Sequence, residues 1–211
     1  MYPSKYQRSS YNVDGLKAQP WWSPKEANIE KLVEKLEKHY LTIQKEAMAI
    51  FEEHKHKMEK EAESLSIDNG KSDWRQFTFY ERGRKNQKNC ELAPKTCQII
   101  EKIGGKRVTA CKRGQTKFSV MVPGTEVWPH VGPSNTRLRL HLGLKVPPDA
   151  ENVRITCGGV SKHWEEGKAF IFDDSFEHEV SHQASTSRMI LIMDVWHPDL
   201  TQKQIDGLTP I

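Results

Sequence analysis

The stretch Arg137-Leu138-Arg139-Leu140-His141-Leu142 sets the fold class, because its polar and apolar residues alternate without a break. Successive side chains of a β-strand point to opposite faces, so Arg137, Arg139 and His141 share one face. This pattern predicts a strand, which the sequence extends to residue 146.

Other short strands are predicted on both sides of this stretch, after the period of apolar residues changes near Trp74. They cover residues 76–80, 107–112, 116–122, 153–156, 168–172 and 188–195. Short strands separated by Gly- and Pro-containing turns indicate a β-sandwich or a jelly roll.

A helical lobe is predicted ahead of these strands. Ser23, Pro24 and Glu26 form a helix-start signal, with a capping residue, a first-turn proline and a glutamate three positions after the cap. Apolar residues then recur at helical spacing toward Leu65, and the turn Asp68-Asn69-Gly70 ends the pattern. We therefore expect a lead-in at residues 1–22, a helical lobe at 23–72 and a β-rich core at 73–211.

Two further short helices are expected. Ala93-Pro94-Lys95-Thr96 opens one that carries Ile99, Ile100 and Ile103. Thr201 and Gln204 have the spacing of a capping box for a final helix.

The composition excludes several classes of protein. Hydrophobic residues make up 36% of the 211, and the longest apolar run, residues 189–193, is far shorter than the ~20 residues of a membrane span. Residues 1–5 lack the apolar segment of a secretory signal, so a targeting segment would lie outside this chain. The 32 basic and 28 acidic residues are mixed, which argues against a nucleic-acid groove.

The four cysteines, Cys90, Cys97, Cys111 and Cys157, include no C-x-x-C pair. Zinc-ribbon and thioredoxin-like sites are therefore excluded. Cys90 and Cys97 would close a small loop in an oxidising compartment, but four ordinary thiols fit the spacing as well.

The nine histidines fall into three groups. On the helical lobe, the histidines lie among Lys and Glu and are expected to be solvated: His39, His54 and His56. Two more, His163 and His182, are expected in polar loops. The candidates for chemistry are those in the strand-rich half: His130, His141, His178 and His197.

His130 and His178 form a constellation with Arg188, ten positions after His178. Non-haem iron oxygenases hold Fe(II) with two histidines and one carboxylate. Their second histidine ends a strand, and a basic residue on the next strand reaches the far carboxylate of 2-oxoglutarate. Arg188 suits this role because its planar fork can bind both oxygens and because its strand is strongly apolar. Gly132 is a departure, since the usual carboxylate would stand there.

Several stretches resemble the aspartyl/asparaginyl β-hydroxylase family, among them Val127-Trp128-Pro129-His130 and Trp164-Glu165-Glu166-Gly167-Lys168. The others are residues 16–22, 93–97, 137–144, 171–180 and 194–198, and the resemblance covers about residues 11–211. That family carries glycine in place of the third ligand, so the resemblance turns Gly132 into a supporting feature.

The resemblance implies a double-stranded β-helix (jelly roll) from about residue 73, with the helical lobe packed on it. It implies β-hydroxylation of Asp or Asn in epidermal-growth-factor-like domains, using Fe(II), 2-oxoglutarate and O2. It further implies a location in the lumen of the endoplasmic reticulum, with an upstream membrane anchor that would lie outside this chain.

The resemblance also implies roles for individual residues. His130 and His178 would bind iron, Ser119 and Arg188 would hold the distal carboxylate of 2-oxoglutarate, and His141 would lie beside its iron-binding end. Arg139 would contact the substrate's acidic side chain or the co-substrate. Cys90 and Cys97 match a disulfide of the family.

Structural alternatives stay open at this stage. His141 and Ser119 could be purely structural, and Arg137 and Arg139 could form surface ion pairs. Asp194 is expected to be structural, at the exit of its strand. The whole chain could also be an inactive jelly-roll binding module, or an iron oxygenase that acts on a small molecule.

Overall fold

The computed structural model describes residues 6–61 and 73–211. The predicted end of the helical lobe, at Leu65 and at residues 68–70, lies outside the described residues. Among the described residues, none of the helices combines the length and apolar character that a bilayer crossing requires.

Twelve strands are described in these parts of the chain. They are β1 (Trp21–Trp22), β2 (Glu59–Lys60), β3 (Trp74–Glu81), β4 (Arg84–Lys85), β5 (Gln115–Met121), β6 (Thr125–His130), β7 (Arg137–Lys145), β8 (Val153–Cys157), β9 (Val160–His163), β10 (Ala169–Phe172), β11 (His178–His182) and β12 (Arg188–Trp196). The α-helices of the described residues are α1 (Glu30–Lys38), α2 (Tyr40–Glu53), α3 (Gln87–Leu92), α4 (Pro94–Ile99), α5 (Gly105–Thr109) and α6 (Gln202–Gly207).

The strands form two antiparallel sheets. The larger has the order β1-β10-β7-β12-β5-β3-β2, with β4 beside β3, and the smaller has the order β6-β11-β8-β9. Apolar residues of both sheets, such as Ile190 and Ile192 of the larger and Ile155 and Val180 of the smaller, share one core cluster. The expected fold, mainly β with helices and of the jelly-roll type, is confirmed.

The helices cover the other face of the larger sheet. Leu138, Leu140 and Leu142 of β7 share a second core cluster with apolar residues of α1 and α2, such as Leu36 and Ile43. The alternation in β7 therefore gives the strand one apolar and one polar face. Its leucines pack under the helices, and its three polar residues turn toward the smaller sheet.

The helical lobe starts later than its start signal predicts. The capping contacts form, with the Ser23 amide donating to Glu26 Oε2 at 3.0 Å and the Glu26 amide donating to Ser23 Oγ at 3.2 Å. Asn28 then adopts a left-handed conformation, with φ of 53°, and α1 begins only at Glu30. Within residues 23–61, the two α-helices of the lobe meet at His39.

The strand predicted at residues 107–112 is wrong, because the chain forms α5 there. Ile100, Gly104 and Val108 are buried at intervals of four residues, which is helical spacing. A side chain at position 104 would collide with Val108, so the close packing of this turn requires glycine. The helices predicted from Pro94 and Thr201 are confirmed.

Two histidines expected in loops lie in strands instead. His163 ends β9 and is exposed, whereas His182 ends β11 and is fully buried. His178, Val180 and His182 alternate along β11, so all three turn into the core.

The Cys90–Cys97 pair is joined by a disulfide that links α3 to α4. Cys111 and Cys157 are free and buried.

Candidate active site

His130 and His178 lie side by side on the smaller sheet. His130 ends β6, His178 begins β11, and the two are register partners. Their ring centroids are 4.1 Å apart. The expectation that His178 ends its strand is therefore wrong, since β11 runs away from the pair.

Both rings are fixed in the same tautomer. His130 Nδ1 lies 2.8 Å from the carbonyl oxygen of Trp128, and His178 Nδ1 lies 2.9 Å from that of Phe176. A carbonyl oxygen only accepts, so each Nδ1 donates a proton and each Nε2 keeps a free lone pair. Hydrogen bonds of this kind orient histidines that ligate metals.

The electrostatics of the pair favour neutral rings. Burial lowers the pKa of His130. Burial, with His130 beside it, lowers the pKa of His178 to about 3. Neutral imidazoles are the form that binds a metal ion, so two lone pairs at neighbouring positions fit a divalent cation.

Gly132 stands where a third ligand would be expected, and the structure shows why it has no side chain. A Cβ at this position would collide with the carboxylate of Asp174. The Gly132 amide also donates to the Asp174 carbonyl oxygen at 2.5 Å. No group of three or more His, Cys, Asp or Glu side chains that could hold a metal ion occurs within residues 6–61 and 73–211.

Asp174 belongs to a buried group of four charges, which we call the charge quartet: Arg137, Arg139, Asp174 and Asp194. Arg137 donates to both oxygens of Asp174, at 3.2 and 2.5 Å. Arg139 donates to both oxygens of Asp194, at 2.8 and 2.9 Å. Two longer cross contacts, of 3.5 and 3.4 Å, close the group.

The quartet pairs two positive with two negative charges. Burial alone would raise the pKa of Asp174, but Arg137 and Arg139 lower it overall to well below the ordinary range. Asp194 has a structural role as expected, and it also accepts from the Gln115 amide at 3.0 Å. It lies within β12 and not at the strand's exit. The two arginines form buried ion pairs, not surface ones.

A narrow cavity between the two sheets brings the predicted site residues together. Its lining includes Ser119, His130, Arg139, His141, His178 and Arg188. Apolar side chains complete the wall, among them Val127, Ile155, Ile190 and Ile192.

Arg188 lies in this wall without an anionic partner among the described residues. Its Nη2 donates to Ser119 Oγ at 3.3 Å, and its guanidinium lies 4.6 Å from the centroid of the Trp164 ring. None of the ion pairs of the described residues includes it, and its Nε has no hydrogen-bond partner among them. Burial lowers its pKa to about 9. A buried, uncompensated guanidinium fits a carboxylate ligand.

His141 has the tautomer opposite to that of the histidine pair. The Trp164 indole donates to His141 Nδ1 at 3.4 Å, so the proton of the neutral ring lies on Nε2. Burial, with Arg188 nearby, lowers the pKa of His141 well below its usual value. Its Nε2 is buried and has no partner among the described residues. His141 therefore offers a hydrogen-bond donor, not a metal lone pair.

Two tryptophans complete the site and were not singled out as functional from the sequence. Trp164 contacts both His141 and Arg188, and Trp74 donates to Ser119 Oγ at 3.0 Å. The sequence offered a signal for them, since a buried indole N–H needs an acceptor and a tryptophan therefore tends to lie beside a polar group.

His197, the remaining candidate, lies outside the cavity lining. Its ring is buried against Trp22, and its Nε2 lies 3.1 Å from the carbonyl oxygen of Lys17. It therefore joins the lead-in to the end of β12 and has no contact with the histidine pair.

The family model described as Aspartyl/Asparaginyl beta-hydroxylase matches residues 37–198. The chain belongs to the aspartyl/asparaginyl β-hydroxylase family. It is 50% identical over 210 residues to "Aspartyl/asparaginyl beta-hydroxylase" of Homo sapiens, and equally to that of Mus musculus. Each match covers 100% of this chain and 27% of the relative, so the chain spans about a quarter of their length.

This aspartyl/asparaginyl β-hydroxylase family member is also similar to more distant proteins. "Aspartate beta-hydroxylase domain-containing protein 2" of Xenopus tropicalis is 31% identical over 224 residues, covering 99% of this chain and 55% of the relative. Among solved structures, a Pseudomonas putida prolyl-4-hydroxylase aligns with a TM-score of 0.45 at 12% identity, covering 79% of this chain and 97% of that one. The region matched by the aspartyl/asparaginyl β-hydroxylase model contains every side chain that lines the cavity.

Proposed function

We propose that this chain is the catalytic unit of an Fe(II)- and 2-oxoglutarate-dependent protein hydroxylase. Its reaction adds a hydroxyl group to Cβ of Asp or Asn residues in epidermal-growth-factor-like domains. The observation that carries this proposal is the cavity in which two histidine lone pairs share a wall with a buried arginine that has no anionic partner among the described residues.

Fe(II) would be held by Nε2 of His130 and Nε2 of His178. When bound, the iron supplies the activation of O2 that a hydroxylation requires. The chain's own part is to present two neutral rings in fixed orientations, which the Trp128 and Phe176 carbonyls secure. Asp174 closes the place of a third protein ligand and is kept there by Arg137 and Arg139.

2-Oxoglutarate would lie along the cavity. Arg188 and Ser119 would bind its distal carboxylate, and Nε2–H of His141 would donate to the end that lies nearer the histidine pair. Both residues can still donate a hydrogen bond to a ligand, because Arg188 Nε and His141 Nε2 have no hydrogen-bond partner among the described residues. The apolar lining excludes water from the co-substrate, which strengthens these charge-assisted bonds.

The reaction balances as one O2 consumed with one 2-oxoglutarate, giving succinate, CO2 and one hydroxylated residue. Positioning the peptide Cβ close to the histidine pair is the chain's remaining task.

We also propose a luminal location in the endoplasmic reticulum. The Cys90–Cys97 disulfide supports it, because structural disulfides persist in oxidising compartments.

The test is incubation of the Fe(II)-loaded chain with 2-oxoglutarate and an epidermal-growth-factor-like peptide. Mass spectrometry should show one added oxygen on an Asp or Asn residue, with matching succinate. Succinate release without peptide oxidation would favour an oxygenase for small molecules. No succinate under any condition would favour an inactive binding module.

A further inference from the structure

The 173–177 loop, which joins β10 to β11, carries contacts on which the proposed metal site depends. Its Asp174 side chain closes the place of a third ligand, and the Asp174 carbonyl oxygen accepts from the Gly132 amide at 2.5 Å. The Phe176 carbonyl oxygen accepts from His178 Nδ1 at 2.9 Å and so orients the ring that would bind iron. The position of this loop therefore determines where Nε2 of His178 points.

The lead-in runs along this loop and is bound to its backbone. The Arg8 amide donates to the Ser175 carbonyl oxygen at 3.3 Å. The Glu177 amide donates to the Tyr6 carbonyl oxygen at 2.6 Å. Gln7 lies between these two contacts, so residues 6–8 hold the loop from one side.

The side chain of Gln7 reaches into the interior of the same loop. Gln7 is 2% exposed, and its Nε2 donates to Ser175 Oγ at 2.9 Å across a separation of 168 residues. Ser175 is fully buried, and its hydroxyl donates to Asp173 Oδ1 at 2.5 Å. A hydroxyl has one proton to donate, so the Ser175 oxygen can only accept from position 7. This position therefore needs a side chain that donates a hydrogen bond.

The polar nature of this contact restricts the loop more than an apolar contact would. A shift of the Ser175 side chain would leave a buried donor or a buried acceptor unpaired, which costs free energy. Ser175 lies between Asp174 and Phe176, so the same shift would move both of the groups that shape the histidine site. The Gln7 contact thus favours one position of the loop.

We propose that Gln7 is a positioning residue of the metal site, and that residues 6–8 hold the 173–177 loop in the arrangement that presents His178 to a metal ion. The inference rests on the proposed function. Coupling between two sites is reciprocal in free energy. If the Gln7 contact raises the affinity for a metal ion, a bound metal ion must stabilise the contacts of residues 6–8 by the same amount.

The first test is the Kd of the metal-free chain for Mn(II), measured by titration in the wild-type chain, Gln7→Met and Gln7→Glu. Gln7→Met should raise this Kd about tenfold, as is usual when an outer partner of a metal ligand is lost. Gln7→Glu should raise it further, because a carboxylate cannot donate to Ser175 and would lie near Asp173. Saturating Fe(II) should restore turnover in Gln7→Met, and the Kd for 2-oxoglutarate at saturating metal should not change. Gln202→Met, at an exposed position of α6, is the matched control.

The second test is hydrogen exchange of the wild-type chain, resolved to single amides by mass spectrometry, and it requires no variant. Mn(II) should slow exchange of the Arg8 amide, although Arg8 is not a proposed ligand. In Gln7→Met this protection should become smaller.

Three results would overturn the inference: an unchanged Mn(II) Kd in Gln7→Met, a turnover loss in that variant that saturating Fe(II) does not restore, or Arg8 exchange that Mn(II) does not alter in the wild-type chain. A wild-type chain that binds no Mn(II) at all would instead overturn the proposed function.

Discussion

The buried arginines of the charge quartet are paired with carboxylates, whereas the buried arginine of the cavity wall is not paired with a carboxylate of the described residues. Arg137 and Arg139 are matched by Asp174 and Asp194 through four hydrogen bonds within the protein. Arg188, on the same sheet, has a serine and a tryptophan ring but no carboxylate among the described residues. The sequence does not distinguish them, because each arginine lies within or at the start of an apolar strand.

The paired arginines therefore stabilise the fold, and the unpaired arginine is available for a ligand. A buried charge costs several kcal/mol unless it is paired, so a folded chain keeps an unpaired one where a ligand completes it. The quartet holds β7, β12 and the loop at Asp174 together, whereas Arg188 would gain a carboxylate partner only from the proposed 2-oxoglutarate. If the two regions differ in this way, substitutions in them should have distinct effects on stability and on ligand affinity.

Asp194→Ala should destabilise the fold by about 3–5 kcal/mol, because it leaves Arg139 buried without its main partner. Urea unfolding followed by fluorescence measures this directly. Asp14→Ala, at an exposed position, is the control and should change the free energy of unfolding by less than about 0.5 kcal/mol. A loss below about 1 kcal/mol for Asp194→Ala would show that the quartet is not structural.

Arg188→Ala should weaken 2-oxoglutarate binding by about 2–5 kcal/mol and remove nearly all turnover. Arg188→Lys keeps the charge but loses the fork, so its 2-oxoglutarate constant should fall between those of the wild-type chain and Arg188→Ala. Calorimetric titration of 2-oxoglutarate measures the affinities, and a metal titration should show iron binding unchanged.

The free energy of unfolding of Arg188→Ala tests whether Arg188 contributes less to stability than the charge quartet does. It should change far less than that of Asp194→Ala, because no carboxylate is left unpaired among the described residues. An unchanged dissociation constant for 2-oxoglutarate in this variant would show that Arg188 has a structural role. The co-substrate's carboxylate would then be assigned to Arg137 or Arg139.

Loss of the disulfide should lower the stability of the fold without changing the contacts of the charge quartet or of the cavity wall. Replacing Cys90 and Cys97 by serine removes a bridge across a sequence separation of 7, and a loop this short contributes about 2–3 kcal/mol. The stability difference should therefore appear in urea unfolding, while 2-oxoglutarate affinity stays the same. A change in that affinity would instead connect α3 and α4 to the cavity.

The smallest effect under ordinary assay conditions is a pH dependence of the quartet. The arginines hold the folded pKa of Asp174 below its unfolded value of about 4. Its stabilising contribution is therefore complete above pH ~4 and is lost as the pH falls through the folded value. Stability measured between about pH 7 and pH 2 should show this acid limb, and Asp174→Asn should flatten it. An unchanged acid limb in that variant would assign it to other carboxylates.

Much of this arrangement could be predicted from the sequence. The alternation in β7 determined its strand and the shared face of Arg137, Arg139 and His141, because period and burial agree there. The spacing of His130, His178 and Arg188, with the family resemblance, pointed to side chains that line one cavity.

The rest depended on contacts between distant parts of the chain. Arg139 meets Asp194 across 55 residues, and only the register of β7 with β12 shows that its charge is already matched.

The wrong strand at residues 107–112 has a similar cause. Val108 and Thr109 are β-branched and favour a strand when judged by their neighbours in sequence alone. In the folded chain, Val108 packs closely over Gly104, and this contact favours a helical turn. Packing therefore outweighed local propensity in this segment.

The most direct test of the central claim is a crystal structure of the chain with Mn(II) and an unreactive analogue of 2-oxoglutarate. We predict that Nε2 of His130 and Nε2 of His178 are the only protein ligands, with Asp174 still bound to Arg137 and the analogue's distal carboxylate on Arg188. A protein carboxylate such as Asp174 bonded directly to the metal, or an analogue that leaves Arg188 unpaired, would contradict that claim.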